Sequence, residues 1–357
     1  EGDRGTLLGL TQASPDRIAS ICGHFTYCGG CALQHLAPDA YAAFKRGLLE
    51  TPLRRAGIET PVAPLVYAQG AGRRRATLHA TRAGAGFMAH RSHTLRALDA
   101  CPVLVPALAT ATEIARAAQA MVGNCDVSLT ATDTGLDVAV RPEKRADPRR
   151  LVPLGARFGL ARISLGTDLV WQSRVPTIRM GRAVVELPAG SFLQATAAAE
   201  ETLAGLVAAA LPSAKHVLDL FCGVGPFALR LAERARVTAL DSDRPSVAAL
   251  QQAVRNTQGL KPVSVQARDL FRNPLAPAEL TPFDAVVLDP PRAGAEAQVR
   301  ELAGTRIKTL VYVSCDPQTF SRDAAILCGA GWRLESVTPV DQFAWSTHVE
   351  TVGVFRR

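Results

Sequence analysis

Near the C-terminal end of this 357-residue chain, three short motifs carry side chains suited to covalent and proton-transfer chemistry. Val313-Ser314-Cys315-Asp316-Pro317 sets a thiol directly after an apolar run. By base rate such a cysteine is an inert packed thiol. Here, however, it leaves a strand where a helix begins, and helix amides lower a thiol pKa. Asp289-Pro290-Pro291-Arg292 follows the preceding apolar strand and puts Asp289 at the carboxyl end of the sheet, where open α/β sheets bind ligands. Thr347-His348-Val349-Glu350 adds a carboxylate that can reach the same edge.

The elements that position these groups alternate from residue 195 onward. The pattern predicts a helix over 195–211, a strand over 216–221 and a helix over 226–234. Strand 237–240, helix 245–257 and strand 263–267 follow, then strand 285–288, helix 296–303, strand 309–313 and helix 318–328. Strands alternating with helices imply a parallel sheet covered on both faces. Two last strand-like runs, 333–339 and 349–355, have no helix between them, which suggests an antiparallel strand at one edge. In Asp219-Leu220-Phe221-Cys222-Gly223-Val224-Gly225-Pro226 a strand ends, Gly223 and Gly225 let the backbone turn closely, and a helix begins. Asp241 ends the next strand, where a carboxylate can accept hydrogen bonds from ribose hydroxyls. Asp269 ends the third, where an adenine edge would lie. The third glycine of the dinucleotide fingerprint and a P-loop lysine are both absent. The pattern fits a doubly wound fold of the S-adenosylmethionine (SAM) type better than a nicotinamide dehydrogenase.

The N-terminal half differs in character. Residues 1–185 hold 23 Lys and Arg against 14 Asp and Glu, while residues 186–357 hold 17 against 18, so the whole basic excess lies in the first half. That half offers a polyanion surface. Cys22, Cys28 and Cys31 form a C-x5-C-x2-C run, and Cys101 precedes Pro102. Close thiolates in a reducing compartment are more often metal ligands than disulfides, although spacing alone leaves zinc and iron–sulfur both open. A helix is expected over 37–57, a hairpin over 73–98 and an Ala-rich helix over 105–122, with short strands over 126–129, 136–140 and 161–164. No apolar run approaches the roughly 18 residues of a membrane span. Glu1-Gly2-Asp3-Arg4 carries no export pattern and no initiator Met, so the natural start is expected upstream and the location cytoplasmic.

Together, Tyr-Val-Ser-Cys315-Asp-Pro, Asp289-Pro-Pro-Arg, Asp219-Leu-Phe-Cys-Gly-Val-Gly225 and His348-Val-Glu350 resemble the bacterial RNA 5-methyluridine methyltransferases. Cys22-x5-Cys28-Gly-Gly-Cys31-x2-Gln34-His35-Leu36 with Cys101-Pro102 is similar to the region that carries a 4Fe–4S cluster in the 23S ribosomal RNA branch. The resemblance runs from about residue 20 to the end. It implies a class I SAM-dependent methyltransferase domain over 186–357, an iron–sulfur and RNA-binding region over 21–185, and a tail over 1–20. A strand near Gly5–Leu10 would be what is left of an RNA-binding β-barrel. It makes Cys315 the nucleophile and Glu350 the general base, places Gln194 and Phe221 at the SAM site, and makes Cys22, Cys28, Cys31 and Cys101 cluster ligands. Asp241 stands where the family usually has Glu, which shortens its reach. Phe343-Ala344-Trp345-Ser346 and Pro226 also depart from the common wording.

The implied reaction methylates uridine C5 in RNA, 23S ribosomal RNA before tRNA, with the chain acting as a monomer away from membranes. Arg73, Arg74 and Arg75, with Arg91 and Arg96, are the expected phosphate contacts. Asp289 would hold the uracil or the SAM pocket. A 5-methylcytidine enzyme would carry a second cysteine beside the proline motif, and 286–294 holds none. An amino-methylating enzyme would have an aromatic residue where Arg292 stands. The rival of another class is a non-enzymatic iron–sulfur RNA-binding protein.

Overall fold

A computed structural model describes residue 9 and residues 11–357; the strand expected near Gly5–Leu10 falls, but for Gly9, outside them. Among the described residues the first elements are helix α1 (Pro38–Arg55), closed by Gly57 in the left-handed region, and a two-residue strand β1 (Val66–Tyr67). Strands β2 (Arg75–Thr81), β3 (Gly84–Met88) and β4 (Leu95–Ala97) form a meander in the region read as a hairpin. Helix α2 (Ala111–Val122) follows, then strands β5 (Cys125–Thr132) and β6 (Gly135–Pro142). Helix α3 (Val152–Phe158) and strands β7 (Arg162–Leu165) and β8 (Asp168–Gln172) complete a seven-stranded sheet of order β4-β3-β2-β5-β6-β7-β8.

This sheet is half-solvated. Val127 and Leu129 of β5 and Val138 and Val140 of β6 are buried and pack with Ile114, Ala115 and Ala118 of α2. One face is therefore a core and the other is open, as the alternation of an antiparallel sheet requires. Arg162 binds Asp137 bidentately at 2.9 and 2.7 Å and donates to the Leu187 carbonyl at 2.8 Å, which ties β6 and β7 to the chain leaving the sheet. A hairpin of β9 (Thr177–Met180) and β10 (Ala183–Glu186) then leads into the C-terminal half.

There the elements are α4 (Ala197–Ala210), β11 (His216–Leu220), α5 (Ala228–Leu231), β12 (Arg236–Asp241), α6 (Arg244–Asn256) and β13 (Val263–Ala267). They continue as α7 (Pro277–Leu280), β14 (Ala285–Leu288), α8 (Glu296–Ala303), β15 (Thr309–Ser314), α9 (Pro317–Gly329), β16 (Arg333–Asp341) and β17 (Glu350–Arg356). The eight-stranded order is β1-β16-β17-β15-β14-β11-β12-β13. Every residue of β14 and β15 is buried, as expected of central parallel strands covered on both faces.

Several features differ from the sequence reading: the helix expected over 105–122 starts at Ala111, the one over 226–234 is confined to Ala228–Leu231, and the strand order departs from the expected one. The antiparallel strand is not at an edge: β17 lies between β15 and β16 and is antiparallel to both. After α9 the chain skips one strand position to lay down β16, and the return strand fills the gap. The edge is instead β1, which pairs in parallel with β16. Residues 38–67, numbered within the N-terminal half, thus pack on the C-terminal sheet: α1 lies against α9 and β16, and Leu49 and Leu53 enter its core. Among the described residues no helix is long and apolar enough to cross a membrane.

Candidate active site

The ladders fix which residues meet at the carboxyl edge of the sheet. Leu220 pairs with Leu288 and Leu288 with Tyr312, so Phe221 and Asp289 leave adjacent strands at neighbouring levels. Ser314 pairs with Thr351 in the antiparallel β15–β17 ladder, which brings Cys315 beside Glu350 one step further out. The sequence-predicted pair therefore comes together from residues 35 apart in the chain. Gln194, on the segment before α4, reaches the same place and donates to Asp289 Oδ2 at 3.4 Å.

Gln342, which the motifs did not point to, joins these groups. Its Nε2 donates to Glu350 Oε2 at 2.6 Å and to Gln194 Oε1 at 2.7 Å, and its Oε1 accepts the Ala195 amide at 2.7 Å. Its only signal was a polar residue at the exit of a strand. Glu350 is 2% exposed, and burial pushes its carboxyl up to about 7 although the Gln342 amide and the Arg292 charge oppose this. Asp289 is raised well above the carboxylate range by desolvation and then by the charges of Glu350, Asp219 and Asp241. A carboxyl near 7 is poised to exchange a proton at neutral pH.

The Cys315 thiol does not behave as the sequence suggested. Burial, then the carboxylates of Glu350 and Asp289, push it up to about 11, with Arg292 opposing. The helix amides expected to lower it are engaged elsewhere: the Asp316 carboxylate caps α9 and accepts from Gln318 and Thr319 at 2.9 and 3.2 Å. The Arg292 guanidinium lies 3.1 Å from His348 Nδ1, and burial with nearby cations keeps that imidazole below its ordinary pKa.

Beside this group, the glycine turn forms a cradle. Phe221 takes φ +64°, a conformation that non-glycine residues rarely adopt, and its ring lies 5.4 Å from that of Phe271. Gly223 also has positive φ, and a Cβ there would meet nothing within 4 Å, leaving room for a close ligand. At Gly225 a Cβ would come 2.4 Å from Leu250, so that glycine serves helix packing. Asp241 Oδ2 accepts the Gly223 amide at 2.8 Å and Oδ1 the Asp243 amide at 2.8 Å. Asp269 accepts from the Phe271 and Arg272 amides at 3.0 and 3.2 Å and so shapes the loop that carries Phe271. A turn with open space above it, an aromatic pair and an acidic strand end suits the adenosine and methionine portions of SAM.

The four cysteines of the N-terminal half, Cys22, Cys28, Cys31 and Cys101, line one cavity of about 360 Å³ with Phe87, Arg73 and Arg75. None of the four is in a disulfide, and the Gly30 amide points at Cys28 Sγ at 3.4 Å. Burial raises Cys28, Cys31 and Cys101, the last to about 11. Among the described residues no three His, Cys, Asp or Glu side chains converge on a position for a single metal ion.

The three consecutive arginines have separate fates. Arg73 lies by the cavity with its guanidinium 5.8 Å from the Phe343 ring. Arg75 also lines the cavity and stacks at 5.6 Å on Phe192, which is 68% exposed. Arg74 corrects the sequence reading: it is 6% exposed, binds Glu200 at 2.6 Å and donates to the Gln194 carbonyl at 3.1 Å. It faces inward because alternate residues at a strand's start face opposite sides. Arg91 and Arg96 lie on the exposed outer edge of the same sheet.

Known proteins resemble this chain in sequence and in fold. A family model described as tRNA (uracil-5-)-methyltransferase matches residues 151–357. A protein of Brucella suis named as an uncharacterized RNA methyltransferase is 46% identical over 99% of this chain and 88% of its own length. The 23S rRNA (uracil(1939)-C(5))-methyltransferase RlmD of Halomonas elongata is 36% identical over 98% of this chain and 79% of its own. The structure of the Pyrococcus abyssi tRNA (uracil-54, C5)-methyltransferase in complex with S-adenosyl-L-homocysteine aligns with a TM-score of 0.75 at 23% identity, covering 97% of this chain and 88% of that one. The C-terminal half has the class I SAM-dependent methyltransferase fold. The chain belongs to the RNA (uracil-5-)-methyltransferase family.

Proposed function

We propose that this protein methylates C5 of a uridine in 23S ribosomal RNA through a covalent adduct with Cys315. The observation that carries this reading is the placement of Cys315 beside Glu350, with Gln342 bonded to the Glu350 carboxyl. SAM, when bound, supplies an electrophilic methyl group, and the Phe221–Gly225 turn with Asp241 and Asp269 is the part of this chain that would hold it. Uracil C5 is too weak a nucleophile to take that methyl unaided. The Cys315 sulfur adds to C6 and forms an S–C bond, which moves the double-bond electrons toward C5 and O4; C5 would then take the methyl as the S–CH3 bond of the sulfonium breaks and a neutral thioether leaves. Glu350 removes the C5 proton, the electron pair restores the C5–C6 double bond, and Cys315 leaves as thiolate. Burial and the neighbouring carboxylates oppose ionisation of the thiol, so its proton would pass to solvent as the S–C bond forms. Arg292 is the cation facing that sulfur. The uracil has to leave its stack to reach the strand ends, so the target is single-stranded or flipped.

The cysteine cavity would hold a 4Fe–4S cluster. Four cysteines lining one cavity of about 360 Å³ would supply the four thiolates that such a cluster takes. Its role is to clip the 22–33 and 101 loops together beside the basic surface that receives RNA. The 36% identity to a 23S rRNA enzyme favours ribosomal RNA over tRNA. Site-resolved mass spectrometry of RNA from cells lacking the gene tests this. Loss of one 5-methyluridine in 23S rRNA is expected, restored by the wild type and not by Cys315→Ala. Loss in tRNA alone assigns the other substrate, and no loss anywhere refutes the reading.

A further inference from the structure

The connection of residues 342–349 between β16 and β17 begins with Gln342 and delivers Glu350, so its shape sets where the carboxyl stands. Its own sequence does little to fix that shape. It contains no glycine, and Trp345 takes φ +54°, a conformation that surrounding structure must impose. The restraints come from a distant stretch, residues 32–45, which begins one residue after Cys31. The amides of Ala32 and Leu33 both donate to the Trp345 carbonyl, at 2.7 and 2.9 Å. The Tyr41 hydroxyl accepts the Trp345 amide at 3.0 Å and donates to Asp341 Oδ2 at 2.5 Å. Lys45 Nζ donates to Asp341 Oδ1 at 2.8 Å, to the Phe343 carbonyl at 3.0 Å and to the His348 carbonyl. Gln69 donates to Asp341 Oδ2 at 2.7 Å.

Lys45 and Asp341 have no exposed side-chain surface, and the ammonium spends its three N–H donors on three acceptors that belong to the loop or to its root. Stability alone gives little reason for such a pair. Burying two charges costs several kcal/mol each, and apolar side chains of like volume commonly hold two elements together as well. An apolar pair cannot, however, join both shoulders of the loop, residues 343 and 348, to the end of β16. We propose that Lys45 is a positioning residue for Glu350, acting through Asp341 and the carbonyls of Phe343 and His348, so that the N-terminal segment sets the reach of the catalytic base. The proposal rests on the uridine-C5 reading of the site.

Lys45→Met alone would leave Asp341 buried without its cation and could fail to fold. The informative variant is Lys45→Met/Asp341→Asn, which removes both charges and keeps partners for Tyr41 and Gln69. With the purified full-length protein, the thermal midpoint and SAM affinity are expected to stay at wild-type values. The kcat for methyl transfer should fall about 100-fold, as a base displaced by an ångström would cause. Slowed loss of the C5 proton should also make methylated RNA accumulate on Cys315 as a covalent band on denaturing gels, which a general loss of fold would not produce. A double variant that turns over at the wild-type rate without such a band overturns the proposal, as does activity lost only in step with the thermal midpoint. Amide hydrogen exchange over residues 343–348 separates this from the substrate assignment. Faster exchange in the double variant supports the clamp even where uridine proves not to be the target, and unchanged exchange overturns it. Wild-type protein that forms no 5-methyluridine refutes the assignment alone.

Discussion

The sheet edge and the cysteine cavity bring distant residues together by opposite means. Cys315, Asp289 and Glu350 each sit at the end of a strand whose ladder partners are buried, so their spacing is dictated by register. Slipping a strand by one residue would turn its apolar face outward, which makes register costly to change. Cys22, Cys28, Cys31 and Cys101 sit on loops instead. Their tethers are loop hydrogen bonds and not strand ladders, among them the Gly29 amide on the Met88 carbonyl at 2.9 Å, the Cys22 amide on Gln34 Oε1 at 3.1 Å and the Ala32 amide on the Trp345 carbonyl at 2.7 Å. A site built on strand ends holds its geometry without its ligand. A site built on loops is completed by what it binds.

The sharpest test of that contrast is Cys315→Ala. Because register rather than the thiol positions the edge, the variant should keep its thermal midpoint and SAM affinity. Methyl transfer should fall on the order of 10⁴-fold or more, as for other nucleophile deletions. Cys31→Ser tests the other side. It should abolish bound iron and the visible absorption of a cluster, leave SAM affinity intact, and lower kcat/KM for RNA by roughly 100-fold through misplacement. If Cys31→Ser keeps full RNA turnover, the loops need no keystone and the contrast fails. Metal analysis that finds zinc in the wild type would also overturn the cluster assignment.

What the sequence made legible follows the same division. The helices over 38–55, 296–303 and 317–329 and the strands over 263–267 and 285–288 lie where periodicity placed them, because each is a run whose burial pattern repeats locally. The insertion of β17 was illegible, since strand order is decided by which gap the chain returns to and not by the strand's own residues. Gln342, Lys45 and Asp341 were missed for a related reason. Gln342 meets Gln194 across 148 residues and Lys45 meets Asp341 across 296, and Lys45 sits in a helix where a lysine ordinarily faces water. Arg74 and Cys315 show local chemistry misread: the same strand start turned Arg74 inward, and Asp316 took the helix amides on which a low thiol pKa depended.

pH offers a milder probe. Glu350 must be ionised to accept the C5 proton, and its carboxyl is held up to about 7. The rate should therefore rise with pH through about 7, and Glu350→Gln should remove that limb along with turnover. Stability moves the other way. A carboxyl raised from 4.5 to about 7 holds its proton longer folded than unfolded, so Glu350 favours the fold below 4.5 and loses that contribution as pH climbs toward 7. Asp219, pushed up to about 8 by burial, adds to the same slope. Thermal midpoints that increase between pH 5 and 8 in the wild type but not in a Glu350→Gln/Asp219→Asn variant would contradict this sign.

The smallest effects should separate two neighbours in the chain. Arg75 stacks on exposed Phe192 at the rim of the cysteine cavity, where an RNA phosphate or base can approach. Arg75→Ala should weaken RNA binding severalfold at low salt and reduce the slope of log affinity against log salt by about 1, the signature of one lost phosphate contact. Its thermal midpoint should hardly move. Arg74→Ala should do the reverse, because it strips one partner from the buried Glu200 pair and leaves only Arg230 at 3.0 Å. Removal of one buried partner typically costs about 3–5 kcal/mol, and the remaining arginine places this case at the lower end. RNA affinity of the folded fraction should then stay within about twofold, with its salt slope unchanged. Salt slopes unchanged from wild type in both variants would mean that neither side chain meets a phosphate, and the basic surface would then have to be sought at Arg91 in the β3–β4 turn and Arg96 on β4.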